Sequence, residues 1–491
     1  IGNISSTTLT FNLTEVQRAA LIVISGTSGG DGSPTVLNLQ AGAFHDMSIN
    51  DNEPVSGIPI VEHPDTVQPF ILAARFNFGT SVLRVESSET LSTVASKQRF
   101  DLAFLRNISL KVNDTNSVNL DGSEILRAEL DFFELKIPEV SRVQMMYYSG
   151  QSIGDGTPLV LDVGEGAFKD LAENNLIAVN GLPVIETSDV IKPALSSAAT
   201  INYADGTMRV AMTETLDRTP IEFTDLDKMF LGNVSNDSAV PLSGASIVAV
   251  DTTLFTITLT ELQRVNAIAM SATPGGDGSP LIFDMLAKAV VDLSSNLNDD
   301  SFNNTLVETR DYILPFLESG SINFSDGRLI LKASETIDLT PKTNVNLPDA
   351  RFVDNHDGSG TSAAMNSATF DEVDSTVVTL TLSEEERVNA YRISSRVGGD
   401  GTNVFFKCNP ALFKDIAQNP LNGTNILLLD EINDTSTPFV QNITLNYSTG
   451  TLSLFVSETI DLVPLANIRL ETINISDNAG SILPSKTFDV N

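Results

Sequence analysis

Four stretches share one spelling: EHPDTVQP (Glu62–Pro69), ETSDVIKP (Glu186–Pro193), ETRDYILP (Glu308–Pro315) and EINDTSTP (Glu431–Pro438). Each reads E-x-x-D-x-x-x-P. Proline fixes φ and carries no backbone N–H, so after a polar run it opens the first strand of a new β domain rather than sitting inside a sheet. The stretch therefore marks the joint of a tandem array, with two acidic residues where one domain ends and the next begins.

A second landmark, G-D-G followed by Ser or Thr, places its Asp at Asp31, Asp155, Asp277 and Asp400, at spacings of 124, 122 and 123 residues. A third, S/T-E-T, places Glu89, Glu214, Glu335 and Glu458 each 58 or 59 residues further on. Three landmarks with one period establish an internal repeat, and a period near 123 is a whole domain rather than a solenoid unit. The chain accordingly divides into 1–63 as the C-terminal part of one repeat, 64–187, 188–309 and 310–432 as complete repeats, and 433–491 as the N-terminal part of another.

Within a period the pattern is mostly β. After the joint Pro, Val440, Ile443 and Leu445 alternate, a turn comes at Ser448-Thr449-Gly450, and Leu452, Leu454 and Val456 return as the second arm of a hairpin. A further strand is expected over 345–352 and over 468–475, then period-2 runs such as Phe255, Ile257 and Leu259. One helix per repeat starts where Thr14, Thr260 and Ser383 stand three residues before Gln17, Gln263 and Glu386, a capping box. The second repeat has Pro138 instead, at an expected first helical position. The G-D-G segment reads as a tight turn, since no Lys stands ready for a phosphate. The fold class is all-β: tandem β-sandwich domains with one short helix each.

Composition narrows the function. With 63 Asp+Glu against 29 Lys+Arg, the formal charge of −34 opposes nucleic acid and anionic membrane as partners and favours cations. One Cys and three His that do not recur between repeats build neither a disulfide framework nor a zinc site. No apolar run is long enough to span a membrane. The opening at Ile1, without Met or a signal-peptide core, points to a processed or excised piece. Catalytic signatures such as G-x-S-x-G and H-E-x-x-H are missing, so an enzyme is not expected. Thirteen Asn-x-Ser/Thr sequons, at Asn3, Asn12, Asn107, Asn113, Asn233, Asn236, Asn303, Asn323, Asn422, Asn433, Asn442, Asn446 and Asn474, favour an extracellular glycoprotein with N-glycans as partners.

The candidate chemistry lies at the joints. Because the hairpin leaves the linker and returns to it, Glu214 and Asp217 are expected to approach Asp189, Glu335 and Asp338 to approach Asp311, and Glu458 and Asp461 to approach Asp434; the first joint offers Asp65 and Glu89. Carboxylates converging without Lys or Arg suit calcium. The same residues admit a second reading, in which Asp caps a turn and the S-E-T Glu pairs with an Arg of its own domain. Arg18, Arg142, Arg264 and Arg387 recur in an Arg-poor chain and ask for a repeated acidic partner in the domain.

The run Leu452–Asp461 and the later Phe413–Asn419 resemble the "F-S-E-x-hydrophobic-D … D-x-A-G-N" pattern of bacterial-type immunoglobulin-like repeats in S-layer and giant adhesin proteins. Gln418 and Glu173 stand where the pattern has Gly, and Leu91-Ser92 comes after S-E-T in the first repeat. The linker 430–434 ahead of Pro438 and Phe439 is similar to a cadherin linker, a likeness that implies calcium between domains. The resemblance implies immunoglobulin-like domains in a cell-surface structural protein: a filament, appendage or surface layer. The alternative it leaves is the stalk of a giant cell-adhesion protein that binds a glycan or a surface. Four periods nearly fill the chain, and the closing Thr487-Phe488-Asp489 matches Thr369-Phe370-Asp371, so the end leads back into the beginning, as expected of a stretch of a longer chain of such repeats or of a copy whose halves complete each other head to tail; an arbitrary cut through a longer chain gives the same pattern.

Overall fold

The computed structural model describes residues 7–92, 102–113, 115–151, 153–233, 236–477, 479–480 and 482–483. The strands of the repeat after Pro193 represent the others: β1 (Ala199–Asn202), β2 (Thr207–Leu216), β3 (Met229–Asn233), β4 (Asn236–Pro241), β5 (Ser246–Ile247), β6 (Thr252–Thr258), β7 (Leu281–Met285) and β8 (Ser301–Thr309). They are ordered β4-β3-β7-β8-β1-β2-β6-β5. The first half of β8 pairs antiparallel with β7, and its second half pairs parallel with β1, Ala199 lying opposite Leu306 and Asn202 opposite Thr309. One strand thus links two layers. Period-2 alternation turns Met208 and Val210 of β2 and Phe255 and Ile257 of β6 inward from one layer, and Met229, Leu231, Leu281 and Phe283 inward from the other. All eight belong to a single core, which makes the domain sandwich-like.

The strands between Ile71 and Thr187 repeat this order with eight members, and those between Leu317 and Ile432 with seven. The protein is mainly β, with several sheet domains that each carry a short helix. The helices are α1 (Glu15–Val23), α2 (Glu139–Tyr148), α3 (Glu261–Ala269) and α4 (Glu384–Arg392). Capping boxes at Thr14, Thr260 and Ser383 start three of them, each cap accepting from the backbone of the residue three on while that side chain bonds back. Pro138 stands one place earlier than expected, at the N-cap, with no side-chain bond of its own.

Two further expectations need correction. The strand expected over 345–352 begins only at Ala350, because Lys342–Asn344 and Leu347–Asp349 wind into 3₁₀ turns and Pro348 fixes a helical φ at the start of the second. The same happens over 468–475, where Leu470–Thr472 is 3₁₀ and only Ile475–Ser476 extends. G-D-G is a turn: the Asp277 carboxylate accepts from Ser279 N at 2.8 Å while Gly278 takes φ +88°. Towards the ends, Val36–Leu39 pairs with Val55–Pro59, and Val440–Asn446 with Thr451–Val456.

Candidate site at the domain joints

The recurring Arg comes to the joint from the helix. In α2, Glu139 and Arg142 are three residues apart and share a face, and Glu139 accepts from Arg142 Nε at 2.7 Å and from Nη2 at 2.6 Å. The guanidinium then reaches past its own domain. Its Nη1 donates to Asp189 Oδ2 in the linker at 2.9 Å, and its Nη2 lies 3.5 Å from Glu214 Oε2 of the next domain's S-E-T loop. Glu139 crosses too, accepting from Thr215 N at 2.9 Å. Arg142 is 2% exposed, so these bonds are made away from water, where unpaired charge is most costly.

The clasp recurs at every joint. Arg264 binds Asp311 at 2.6 Å and Glu335 at 3.1 Å; Arg387 binds Asp434 at 2.8 Å and Glu458 at 3.4 Å; Arg18 binds Asp65 at 2.5 Å and Glu89 at 2.7 Å. The linker carboxylates thus converge on an Arg rather than without one; the recurring Arg does find an acidic partner in its own domain, Glu139 for Arg142 and Glu261 for Arg264, but the S-E-T Glu pairs with the Arg of the preceding domain and not of its own. The sites lie 47 and about 71 residues apart in sequence and meet only because the helix end, the linker and the hairpin return face one another.

A third carboxylate joins the pair at the first three joints, and at the second and third it is not the one expected. Asp217, Asp338 and Asp461 accept from the backbone N–H groups of Thr219, Thr340 and Val463 two residues on, capping their own turns, and Asp338 also binds Gln418. The place is taken by Asp170, Asp292 and Asp415, which give the groups Asp65/Glu89/Asp170, Asp189/Glu214/Asp292 and Asp311/Glu335/Asp415. These Asp residues close the stretches Ala167-Phe168-Lys169-Asp170, Ala289-Val290-Val291-Asp292 and Leu412-Phe413-Lys414-Asp415. Asp292 accepts from Ser294 N, from Asn296 N and from Asn296 Nδ2, and the same Asn296 amide reaches the Asp189 carbonyl at 3.3 Å.

Electrostatics reflect burial. Glu214 is pushed far up by its buried position and by the neighbouring Asp189 and Asp292. Glu335 is pushed up to about 8 by burial and by Asp415 and Asp311, against the pull of Arg264. Burial likewise raises Asp415 to about 6. Glu139 goes the other way: burial opposes it, but the Arg142 bonds hold its carboxyl below the usual range.

Packing closes the joint around the charges. Leu293 of one domain is buried in the core of the domain before it, and Ile416 and Ala417 do the same at the next joint. Gly275, at φ +91°, lies so close to this loop that a Cβ would stand 2.0 Å from the Ile416 carbonyl oxygen. The first Glu of each joint motif has a different task. Glu308 accepts from Leu281 N and from Tyr203 Oη, tying β7 and β1 of its own domain to the end of β8.

The sequons divide. Asn12, Asn107, Asn113, Asn303, Asn422, Asn433, Asn442, Asn446 and Asn474 are exposed and Asn323 is half-buried. Asn233 is buried, its amide donating to the Met270 carbonyl and to Asp277, so a glycan cannot be attached there in the folded domain. Asn3 and the matching run at Thr487–Asp489 lie outside the described residues, as does the side chain of Asn236.

No family model and no curated protein matches the sequence. Among solved structures the chain has distant similarity to domains 1–6 of the surface layer protein SbsC, at 8% identity and TM-score 0.18, covering 85% of this chain and 58% of that one. It is also similar to the chicken CNTN1 FN1–FN3 domains (9% identity, TM-score 0.19, 74% and 98% covered) and to latent PorU from Porphyromonas gingivalis (10%, 0.19, 78% and 36%). The chain thus spans little more than half of the S-layer fragment, and at TM-scores this low the likeness carries no weight for function. Among the described residues no helix is long and apolar enough to cross a membrane.

Proposed function

We propose that the chain is a structural segment of tandem immunoglobulin-like domains in an extracellular fibre, appendage or surface layer, and that its joints are held stiff rather than left to hinge. The observation that carries this is the fork of Arg142, Arg264 and Arg387, each bonded at once to its own helix, to the linker and to the following domain. Linked domains ordinarily move relative to one another unless the contact is large and apolar. Here an apolar contact through Leu293 or Ile416 is combined with a buried charge clasp, which fixes orientation as well as distance. The end segments extend the reading: 433–483 carries the first half of a domain and 7–62 the second half, so each is completed by a matching half, from more of the same polypeptide or from another copy head to tail.

Small-angle scattering from the full chain tests the joint. A stiff elongated profile is expected, with a double variant Arg142→Ala and Arg264→Ala giving a shorter, flexible one. A wild-type profile that is already flexible, or a double variant that scatters identically, overturns the reading.

A further inference from the structure

Between the domains 71–187 and 199–309, Asp189 from the linker, Glu214 from the hairpin return and Asp292 from the loop after β7 each offer a carboxylate oxygen within 4.8 Å of the others. They are 6%, 6% and 1% exposed. Arg142 takes up Asp189 Oδ2 and Glu214 Oε2 on one side. The other oxygen of the same group, Glu214 Oε1, is buried without a hydrogen-bond partner. Buried polar atoms are nearly always satisfied, so an orphaned carboxylate oxygen on a residue grouped with two more buried carboxylates marks a place for a cation. The carboxylates outnumber the cations. Glu139, Asp189 and Glu214 share one guanidinium, Asp292 stands with Asp189 and Glu214, and the linker's lysine, Lys192, is paired with Asp299.

The donors are also held in place. Asp189 Oδ1 accepts from Ile191 N at 2.9 Å, and Asp292 is fixed by three bonds from its own loop. Oxygen donors alone, with no imidazole or thiolate among them, fit a hard divalent ion of flexible coordination and not zinc.

We propose that a divalent cation of the calcium class binds among Asp189, Glu214 and Asp292, on the side of the cluster away from Arg142. The group Asp311, Glu335 and Asp415 repeats the arrangement one joint later. Such an ion deepens the stiff-joint reading and rests on it, since it would bridge linker, hairpin and loop from two domains. Asp292 and Asp415 replace Asp217 and Asp338 as ligands.

The test uses the full chain stripped with EDTA, with calcium alone as titrant in calorimetry and terbium luminescence as the second readout. Saturable binding is expected, weakened at least tenfold in the double variant Asp292→Asn and Asp415→Asn, while Asp217→Asn with Asp338→Asn leaves it unchanged. Asn keeps the loop bonds that one oxygen can accept, and circular dichroism of the variant checks the fold. If the stripped chain binds no calcium, or binds it equally well in the Asp292/Asp415 variant, the proposal is overturned and the cluster is a proton site only. Scattering recorded in EDTA separates the two readings, because a chain that stays stiff without calcium binding defeats this inference alone.

Discussion

Arg264 ties a helix, a linker and a second domain together through one side chain. Its recurrence at a fixed place in each repeat already asks for acidic partners, but sequence spacing does not say which domain supplies them, and the answer depends on where the helix end points. Removing it would leave Asp311 and Glu335 facing one another in a dry joint, a loss in the range of about 3–5 kcal/mol seen for a broken buried pair. Asp292 and Asp415 are harder to find in sequence because they lie nearly 80 residues beyond the S-E-T Glu they face. The one signal available is that an Asp recurs at that offset in a stretch whose other positions vary. The same cluster sets a pH dependence in calcium-free solution. Glu335 faces Arg264 and Glu261 from α3, Asp311 from the linker and Asp415 from the loop, and its pKa rises from 4.5 unfolded to about 8 folded. A group raised on folding contributes stability that is complete below 4.5 and is lost as pH climbs to about 8. Asp415, raised from 3.8 to about 6, adds in the same direction. Thermal melts in EDTA are therefore expected to fall between about pH 5 and 8.5, and Glu335→Gln to flatten that slope. A midpoint that rises over this range contradicts the account.

Among the strands, helices and loops, what is periodic in the sequence is what the fold displays. The alternation of Phe255 and Ile257 becomes the inward face of β6, with Leu259 buried just past its end, and the Ser/Thr-x-x-Gln/Glu spelling becomes three capped helices. Residues 342–349 escaped because β-like composition there is overruled by Pro348 and by turns that carry the chain from one layer to the other. Loop contacts between domains are legible only after the fold is known. Gly275 and Gly278 both take a positive φ, at +91° and +88°, and in sequence they read as one turn. A Cβ on Gly278 meets nothing within 4 Å, whereas one on Gly275 meets the backbone of Ile416 in the next domain. Gly278→Ala should thus cost only the backbone strain, roughly 1–3 kcal/mol. Gly275→Ala should cost more and should also raise amide exchange at Ile416 and Ala417. Equal melting shifts for the two variants, with exchange unchanged, would show that the close approach does not hold the joint.

Taken end to end, the chain is a repeat read across its own boundaries. In each internal domain the two halves are joined by strand pairs, such as β1 with β8, β2 with β6 and β3 with β7. The end segments hold one half each. Leu445, Tyr447 and Leu454 occupy the positions of Ile322, Phe324 and Leu331 one repeat earlier; the latter three are fully buried, whereas Tyr447 is 90% exposed. Leu9, Phe11 and Leu13 stand two repeats before Phe255, Ile257 and Leu259, and they too are exposed where their counterparts are buried. Burying a large apolar side chain is worth about 1.5–3 kcal/mol, so six such positions supply a strong drive for the two halves to meet. If the joints between are stiff as proposed, the halves of one copy are held apart and are expected to meet between copies, in a heterologous contact that propagates as a filament. Sedimentation and electron microscopy of the 491-residue chain should show concentration-dependent linear assemblies, lost in either Leu9→Asp or Leu454→Asp alone. Because neither substitution touches an internal core, each variant should keep the melting of the three complete domains. Chains that remain single at all concentrations, or assemble equally well with Asp at both positions, would remove head-to-tail completion and leave the stiff joints standing.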